Sequence, residues 1–183
     1  ALFNLAVTLQ DMEAWAEAMD AYTRVLEQAP GHYKAAFNLG VLHKRMGDTG
    51  AAEAAFRRAL EGQPLLADAW WNLAGCRRFV ERDEAAEQAL AALADDSRLP
   101  EAAQATIAFT RAKLAADRGD HGSAFAFAAA ANATMARLSP FDAARFAALT
   151  DRIIAHWPSC VPADLEPEPA DPRPLFVIGL PRT

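Results

Sequence analysis

Residues 33–66 read YKAAFNLGVLHKRMGDTGAAEAAFRRALEGQPLL, and their pattern returns along the chain at a fixed distance. The triplet NLG at 38–40 has the counterparts NLA at 4–6 and NLA at 72–74, each 34 residues away. Further series keep this spacing: Ala18, Ala52 and Ala86; Tyr22, Phe56 and Leu90; Val25, Ala59 and Leu93; Phe3, Phe37 and Trp71. Self-similarity at a fixed period predicts a repeat protein built from one recurring supersecondary unit.

This period and its small and aromatic positions resemble the tetratricopeptide repeat family, whose unit is a pair of antiparallel helices. The second unit carries the family's features: Leu39, Gly40, Gly47, Asp48, Ala52, Phe56, Ala59 and Pro64. Gly or Ala at a helix crossing lets the two axes approach closely. The resemblance implies an all-α fold, a right-handed superhelix of about four helix pairs over residues 1–138. The predicted units are 1–32, 33–66, 67–100 and 101–138, and the third has Glu81-Arg82 where the family has Gly-Asp.

A capping helix is predicted after the repeats, at 139–157. Ser139 with Asp142 three residues later is a capping signal, and Pro140 suits the first turn of a helix. The apolar residues Phe141, Leu149, Ile153 and Trp157 recur at helical spacing. We expect this face to cover the last repeat, since a repeat cannot bury its apolar face alone.

One side of the first helix of each unit is predicted to line a groove. At about 100° of turn per residue, Asn38 points away from the core positions of its helix, and Lys34 and Arg45 share its side. The equivalent residues in the other units are Asn4, Asn72 and, in the fourth, Thr110. A carboxamide both donates and accepts hydrogen bonds, so this ladder could pair with the backbone of an extended protein or peptide segment. The alternative, that these side chains bond to neighbouring helices, stays open.

A second groove chemistry does not match. Members of the family that bind chaperone tails hold a C-terminal carboxylate with Lys or Arg beside Asn. The corresponding positions here carry Phe3, Val7, Asp68 and Asn72, and only Asn38 fits. Binding of chaperone tails is therefore not expected.

The end of the chain departs from the helical pattern. Residues 158–174 are rich in Pro, which is typical of a linker, and 175–178 (LFVI) read as a short strand. The loop that follows resembles the 5′-phosphosulfate loop of sulfotransferases, and the matching residues are Gly179, Leu180, Pro181, Arg182 and Thr183. The resemblance implies that 175–183 begin a sulfotransferase-like domain that uses 3′-phosphoadenosine 5′-phosphosulfate. One loop is not an active site, so this stretch alone is expected to bind no cofactor and to catalyse nothing.

Composition narrows the class of partner. The chain of 183 residues is 52% hydrophobic and has a formal charge of -6, which disfavours nucleic acid and anionic membranes. Its cysteines and histidines have no metal-ligand spacing, so no metal site is predicted. With no signal peptide in the sequence, a cytoplasmic location is expected.

Three functions are consistent with this pattern. The first is a protein- or peptide-binding module that presents an acceptor to an adjoining sulfotransferase-like domain. The second is the N-terminal part of an active sulfotransferase in which the repeats are structural or dimerising. The third is a stand-alone scaffold, and the oligomeric state is left open by the sequence.

Overall fold

The computed structural model describes residues 1–79 and 83–160, with side chains described as far as residue 156. Within these ranges the chain forms nine helices and no strand. Their bounds are α1 Leu2–Asp11, α2 Trp15–Gln28, α3 Tyr33–Arg45, α4 Thr49–Gly62, α5 Ala67–Ala74, α6 Glu84–Ala94, α7 Glu101–Asp117, α8 His121–Leu138 and α9 Ala143–Cys160. None of these helices is long and apolar enough to cross a membrane. The predicted strand 175–178 lies outside the described residues, as do 161–174 of the predicted linker.

The helices of the first two pairs pack as antiparallel hairpins, α1 with α2 and α3 with α4. Their shared core contains Tyr22 and Phe56 at equivalent places, both fully buried. A Cβ on Gly40 would lie 2.7 Å from the Phe56 ring, so only glycine allows α3 to approach α4 this closely. The all-α fold of stacked helix pairs predicted from the repeat is confirmed here.

Arg58 of α4 joins the second pair to the first. Its guanidinium donates hydrogen bonds to the carbonyl oxygens of Leu26, 3.0 Å away, and Pro30, 3.1 Å away. Carbonyls at the end of a helix have no partner within it, and a cation there also interacts favourably with the helix dipole. The Arg58 side chain thus caps the C-terminal end of α2 and fixes the position of α4 beside it.

Turns between paired helices use one backbone conformation. Gly47 and Gly119 have φ of +83° and +82°, and the aspartates that follow them, Asp48 and Asp120, cap the next helices through the amides of Ala51 and Ser123. Glu13 occupies the place of Gly47 in the first pair and has φ of +60°. A side chain in the left-handed region costs about 1–2 kcal/mol, so this turn is strained.

The third pair differs from the others. Helix α5 has 8 residues where α3 has 13, and it ends at Gly75. Helix α5 packs against α4 and α7 rather than forming a hairpin with α6. Phe79 turns back into a second core, and its amide donates to Asp117 Oδ2 of α7 at 3.0 Å. The fourth hairpin, α7 with α8, is regular again and ends with an ion pair between Arg137 and Glu101.

Helix α9 belongs to a separate unit that begins at Phe141. It begins at Ala143 and is capped by Asp142, whose Oδ1 accepts from the amide of Arg145 at 2.9 Å. Ser139 instead ends α8, so the predicted start at Ser139 was wrong. The helix continues to Cys160, three residues beyond the predicted end. Its face of Phe146, Leu149 and Ile153 is at least 50% exposed, and its capping role stays a prediction.

Candidate peptide-binding groove

The three predicted ladder residues lie on α1, α3 and α5, the first helix of each of the first three pairs. Asn4 is exposed, whereas Asn38 and Asn72 are half-buried. Among the described residues the Asn4 amide has no hydrogen-bond partner. The structure therefore offers one fully available carboxamide and two that are partly engaged.

Asn38 takes part in a chain of hydrogen bonds that crosses three helices. Its Nδ2 donates to the Tyr22 hydroxyl at 2.9 Å, and that hydroxyl donates to Gln10 Oε1 at 3.0 Å. Burial raises the pKa of Tyr22, so the phenol keeps the proton that it donates. One N–H and the Oδ1 of Asn38 have no further partner in the described part of the chain. These two groups remain available to a bound backbone.

Asn72 is held more firmly. Its Oδ1 accepts from Lys44 Nζ at 3.1 Å, which links α5 to α3, and its Nδ2 donates to the Asp68 carbonyl at 2.9 Å. The two bonds leave one N–H of the amide unused. Bonding to a neighbouring helix, the alternative that the sequence left open, is therefore realised at Asn72 and at Asn38.

The two predicted groove cations are exposed on α3. The Arg45 guanidinium stacks over the Trp15 ring at 4.1 Å, and Lys34 Nζ lies 5.9 Å from the ring of Tyr33 beside it. The face of an indole ring attracts a cation, and stacking there restricts the motion of the guanidinium. Arg45 is thus presented at a defined position at the end of its helix.

Thr110 is not available to a ligand in the groove. It is 1% exposed, and its hydroxyl donates to the Thr106 carbonyl one turn earlier in α7. Its predicted place was taken from the turn at 118–124 in its own unit and holds only if that unit stacks on a regular third pair. Because α5 is short and packs directly on α7, this face of α7 becomes part of the core.

The aromatic series Phe3, Phe37 and Trp71, next to the ladder, also contains both packed and exposed side chains. The Phe3 ring lies 5.9 Å from that of Tyr22, and the Phe37 ring lies 5.7 Å from that of Phe56, so both rings join helices within a pair. Trp71 of the third pair is 44% exposed. It is the residue of this series that a partner could contact.

Sequence reasoning missed the residues that hold the ladder in place, Gln10, Tyr22 and Lys44, and it also missed Trp15, on which Arg45 stacks. Tyr22 did stand in the series with Phe56 and Leu90, and its hydroxyl was the signal, since it alone among them can bond to an amide. The described residues contain no cluster of three side chains that could hold a metal. The predicted phosphate-loop residues Gly179, Leu180, Pro181, Arg182 and Thr183 lie outside the described residues.

Comparison with known proteins agrees with this architecture. Residues 1–64 match the family model "Tetratricopeptide repeat". This part of the chain is similar to tetratricopeptide repeats. The matched stretch covers the two regular hairpins and ends before α5, where the tetratricopeptide pattern becomes irregular.

Solved structures extend the likeness of fold beyond residue 64. The chain is similar to "MamA RS-1 ArsTM double mutant", with a TM-score of 0.56, 16% identity and 76% of each chain covered. It is also similar to "MamA MSR-1 C2", with a TM-score of 0.53, 17% identity, and 75% of this chain and 77% of that one covered. At such identities the likeness shows a tetratricopeptide-like fold and nothing further. No curated protein matches the chain in a sequence search.

Proposed function

We propose that residues 1–138 are a protein- or peptide-binding module whose binding surface is formed by α1, α3 and α5. The observation that carries this proposal is the amide series on these helices. Asn4 has no partner among the described residues, and Asn38 keeps an N–H and an oxygen unused. Unsatisfied donors and acceptors at a regular spacing suit an extended backbone, which offers both kinds of group along its length.

We further propose that the module presents a protein or peptide acceptor to a sulfotransferase-like domain that begins at 175–183. The support is the sequence pattern from Phe176 to Thr183, and the cofactor implied for that domain is 3′-phosphoadenosine 5′-phosphosulfate. The gene beyond the codon for Thr183 tests this directly. Codons for Gly-Thr-Thr would support the proposal, and a stop codon would favour a stand-alone scaffold.

One observation favours a second candidate, in which the repeats are a structural part of an enzyme. Asn38 and Asn72 bond to Tyr22 and Lys44, as expected for residues that join helices rather than bind partners. In that case the amides would serve stability alone. The two candidates therefore differ in what each asparagine does.

Selection from a library of displayed 12-residue peptides, followed by fluorescence anisotropy on the peptides recovered, separates these candidates. We expect Asn4→Ala to weaken binding severalfold with an unchanged melting temperature, because its amide stabilises nothing within the described fold. Asn38→Ala should weaken binding and also lower stability by about 1 kcal/mol, through loss of the bond to Tyr22. Recovery of no binding peptide would contradict a binding module, and unchanged affinity in both variants would contradict the ladder.

A further inference from the structure

The charge of α3 is opposite to that of the chain. The protein has a formal charge of -6, yet α3 contains Lys34, Lys44 and Arg45 and no Asp or Glu. In the described part of the chain no carboxylate forms an ion pair with any of these three. Elsewhere the pattern is mixed: Arg57, Arg77, Lys113, Arg118 and Arg137 each pair with a carboxylate, whereas Arg58 bonds to backbone carbonyls and Arg111 stacks on Phe127.

Helix electrostatics explains only part of this arrangement. Lys44 and Arg45 lie in the last turn of α3, where a cation interacts favourably with the helix dipole. Lys34 is the second residue of the helix, where the same dipole disfavours a positive charge. The helix dipole therefore does not account for a cation at position 34.

The cations are also confined to this one helix. The residue that corresponds to Lys34 in the next unit is Asp68, and the residue that corresponds to Arg45 in the preceding unit is Asp11. Both aspartates are exposed. Positive charge on the proposed binding surface is thus concentrated on α3, between two helices that each carry an aspartate at one of the equivalent positions.

From these observations we infer that α3 binds an acidic segment of a partner protein in extended conformation. This inference rests on the proposed function. The acidic stretch runs along α3, where its side-chain carboxylates pair with Lys34 and Arg45 and its backbone bonds to the free N–H and Oδ1 of Asn38 between them. This stretch uses the amide of α3 alone, and only residues flanking it reach α1 or α5. Arg45, stacked on Trp15, supplies a guanidinium whose geometry suits a carboxylate.

The spacing of the two cations sets the spacing of the acids. Lys34 and Arg45 are 11 residues apart, which corresponds to about 16 Å along a helix. An extended chain rises about 3.3 Å per residue and alternates its side chains. This distance is about five residues of an extended chain, so acidic residues four or six positions apart lie on one face of the segment and reach both cations.

The displayed-peptide selection described above tests this inference, with sequencing of the peptides recovered. We expect enrichment of Asp and Glu, with pairs four or six residues apart, and affinities that fall as salt rises. Recovered peptides without acidic enrichment would overturn the inference while leaving the binding module intact. Failure to recover any peptide would overturn the module itself. A single-stranded oligonucleotide that binds more tightly than the acidic peptides would show that the surface reads phosphate, which also contradicts the inference.

Reversing the charge of Lys34 and Arg45 gives a second test of the inference. The variant Lys34→Glu/Arg45→Glu should lose at least about tenfold in affinity for a recovered acidic peptide. Its matched control is Arg24→Glu/Arg152→Glu, which changes two exposed arginines on α2 and α9 by the same charge and should bind normally. Lys34→Glu alone guards against misfolding, since Lys34 is exposed and its ammonium lies over the ring of the neighbouring Tyr33. Lys34→Arg keeps the positive charge and should bind the peptide as the native chain does. Asp68→Asn removes a negative charge from the same surface and should bind the peptide more tightly. Equal binding by the reversed variant and the control would contradict the role of α3.

Discussion

The first two helix pairs and the segment from α5 to α7 bury their apolar faces in different ways. In α1 to α4 each helix packs on its neighbour in sequence, and small residues such as Gly40 set the distance between axes. At α5 the packing skips a helix, because α5 lies on α7 and Phe79 belongs to the core that they share. In the regular pairs, the close approach of α3 to α4 requires that residue 40 have no side chain. In the irregular segment, the Asp117 carboxylate holds Phe79 in place by accepting a hydrogen bond from its backbone amide.

The two arrangements also present different surfaces. In the regular pairs the amides of Asn4 and Asn38 remain at the surface with unused hydrogen-bonding groups. In the irregular segment the equivalent residue, Thr110, is buried. The binding surface that we propose is therefore a property of the regular pairs, and it weakens where the repeat becomes irregular.

The largest effect is expected in the regular half. Gly40→Ala places a Cβ 2.7 Å from the ring of Phe56, which is fully buried and cannot move freely. We expect the free energy of unfolding, measured by urea denaturation, to fall by about 1–3 kcal/mol.

Gly50→Ala is the matched control for that experiment. Gly50 lies in α4, and an added Cβ would meet only Asp48 Oδ1 at 3.8 Å. Because alanine favours helix over glycine by about 1 kcal/mol, this variant should be slightly more stable. A loss of stability at Gly50 as large as that at Gly40 would mean that the crossing of α3 with α4 is not the cause.

The irregular half should respond to Asp117→Asn. Burial alone would raise the pKa of Asp117, but hydrogen bonds from Lys113 and from the Phe79 amide outweigh it and hold this pKa below its ordinary value. We expect a loss of about 1–2 kcal/mol at pH 7, measured by urea denaturation. Asp20→Asn, at an exposed carboxylate on α2, should change stability by less than about 0.5 kcal/mol.

The pH dependence of stability provides a second check on Asp117. A carboxyl whose pKa is lowered in the folded state adds stability above its unfolded pKa of about 4, and this contribution is lost as pH falls through the folded pKa. The gap between the native chain and Asp117→Asn should therefore narrow from pH 7 to pH 3. A gap that stays constant or widens would show that the ionised carboxylate does not hold the Phe79 loop.

The smallest effect concerns the turn of the first pair. Glu13→Gly places glycine where φ is +60°, as in the equivalent turn of Gly47. Relief of a strain of about 1–2 kcal/mol, less the entropy that glycine adds to the unfolded chain, should raise stability by about 0.5–1 kcal/mol. Glu17→Gly, inside α2, should instead lower stability by about 1 kcal/mol. A Glu13→Gly variant less stable than the native chain would contradict the strain.

The sequence was sufficient to predict the regular half because each position there repeats. Gly40, Ala52 and Phe56 have counterparts 34 residues away, and phase alone places them in the core. Phase also placed Asn38 at the surface. It could not show that the Tyr22 hydroxyl reaches Asn38, because that contact depends on the exact approach of three helices.

Prediction failed in the segments that no longer follow the 34-residue period. Thr110 was placed in the groove from the phase of its own unit, which the turn at 118–124 sets, whereas α5 ends at Ala74 and packs directly on α7. The start of α9 was misplaced for another reason. Ser139 and Asp142 are both good caps, and only the backbone of α8, which continues to Leu138, assigns Ser139 to its end.

The most direct test of the binding surface is amide chemical-shift mapping with a recovered acidic peptide. The account predicts that the largest shifts occur on α3, from Lys34 to Arg45, with smaller ones on α1 and α5 around Asn4 and Asn72. Shifts concentrated on α2 and α4, or on the exposed face of α9, would contradict it.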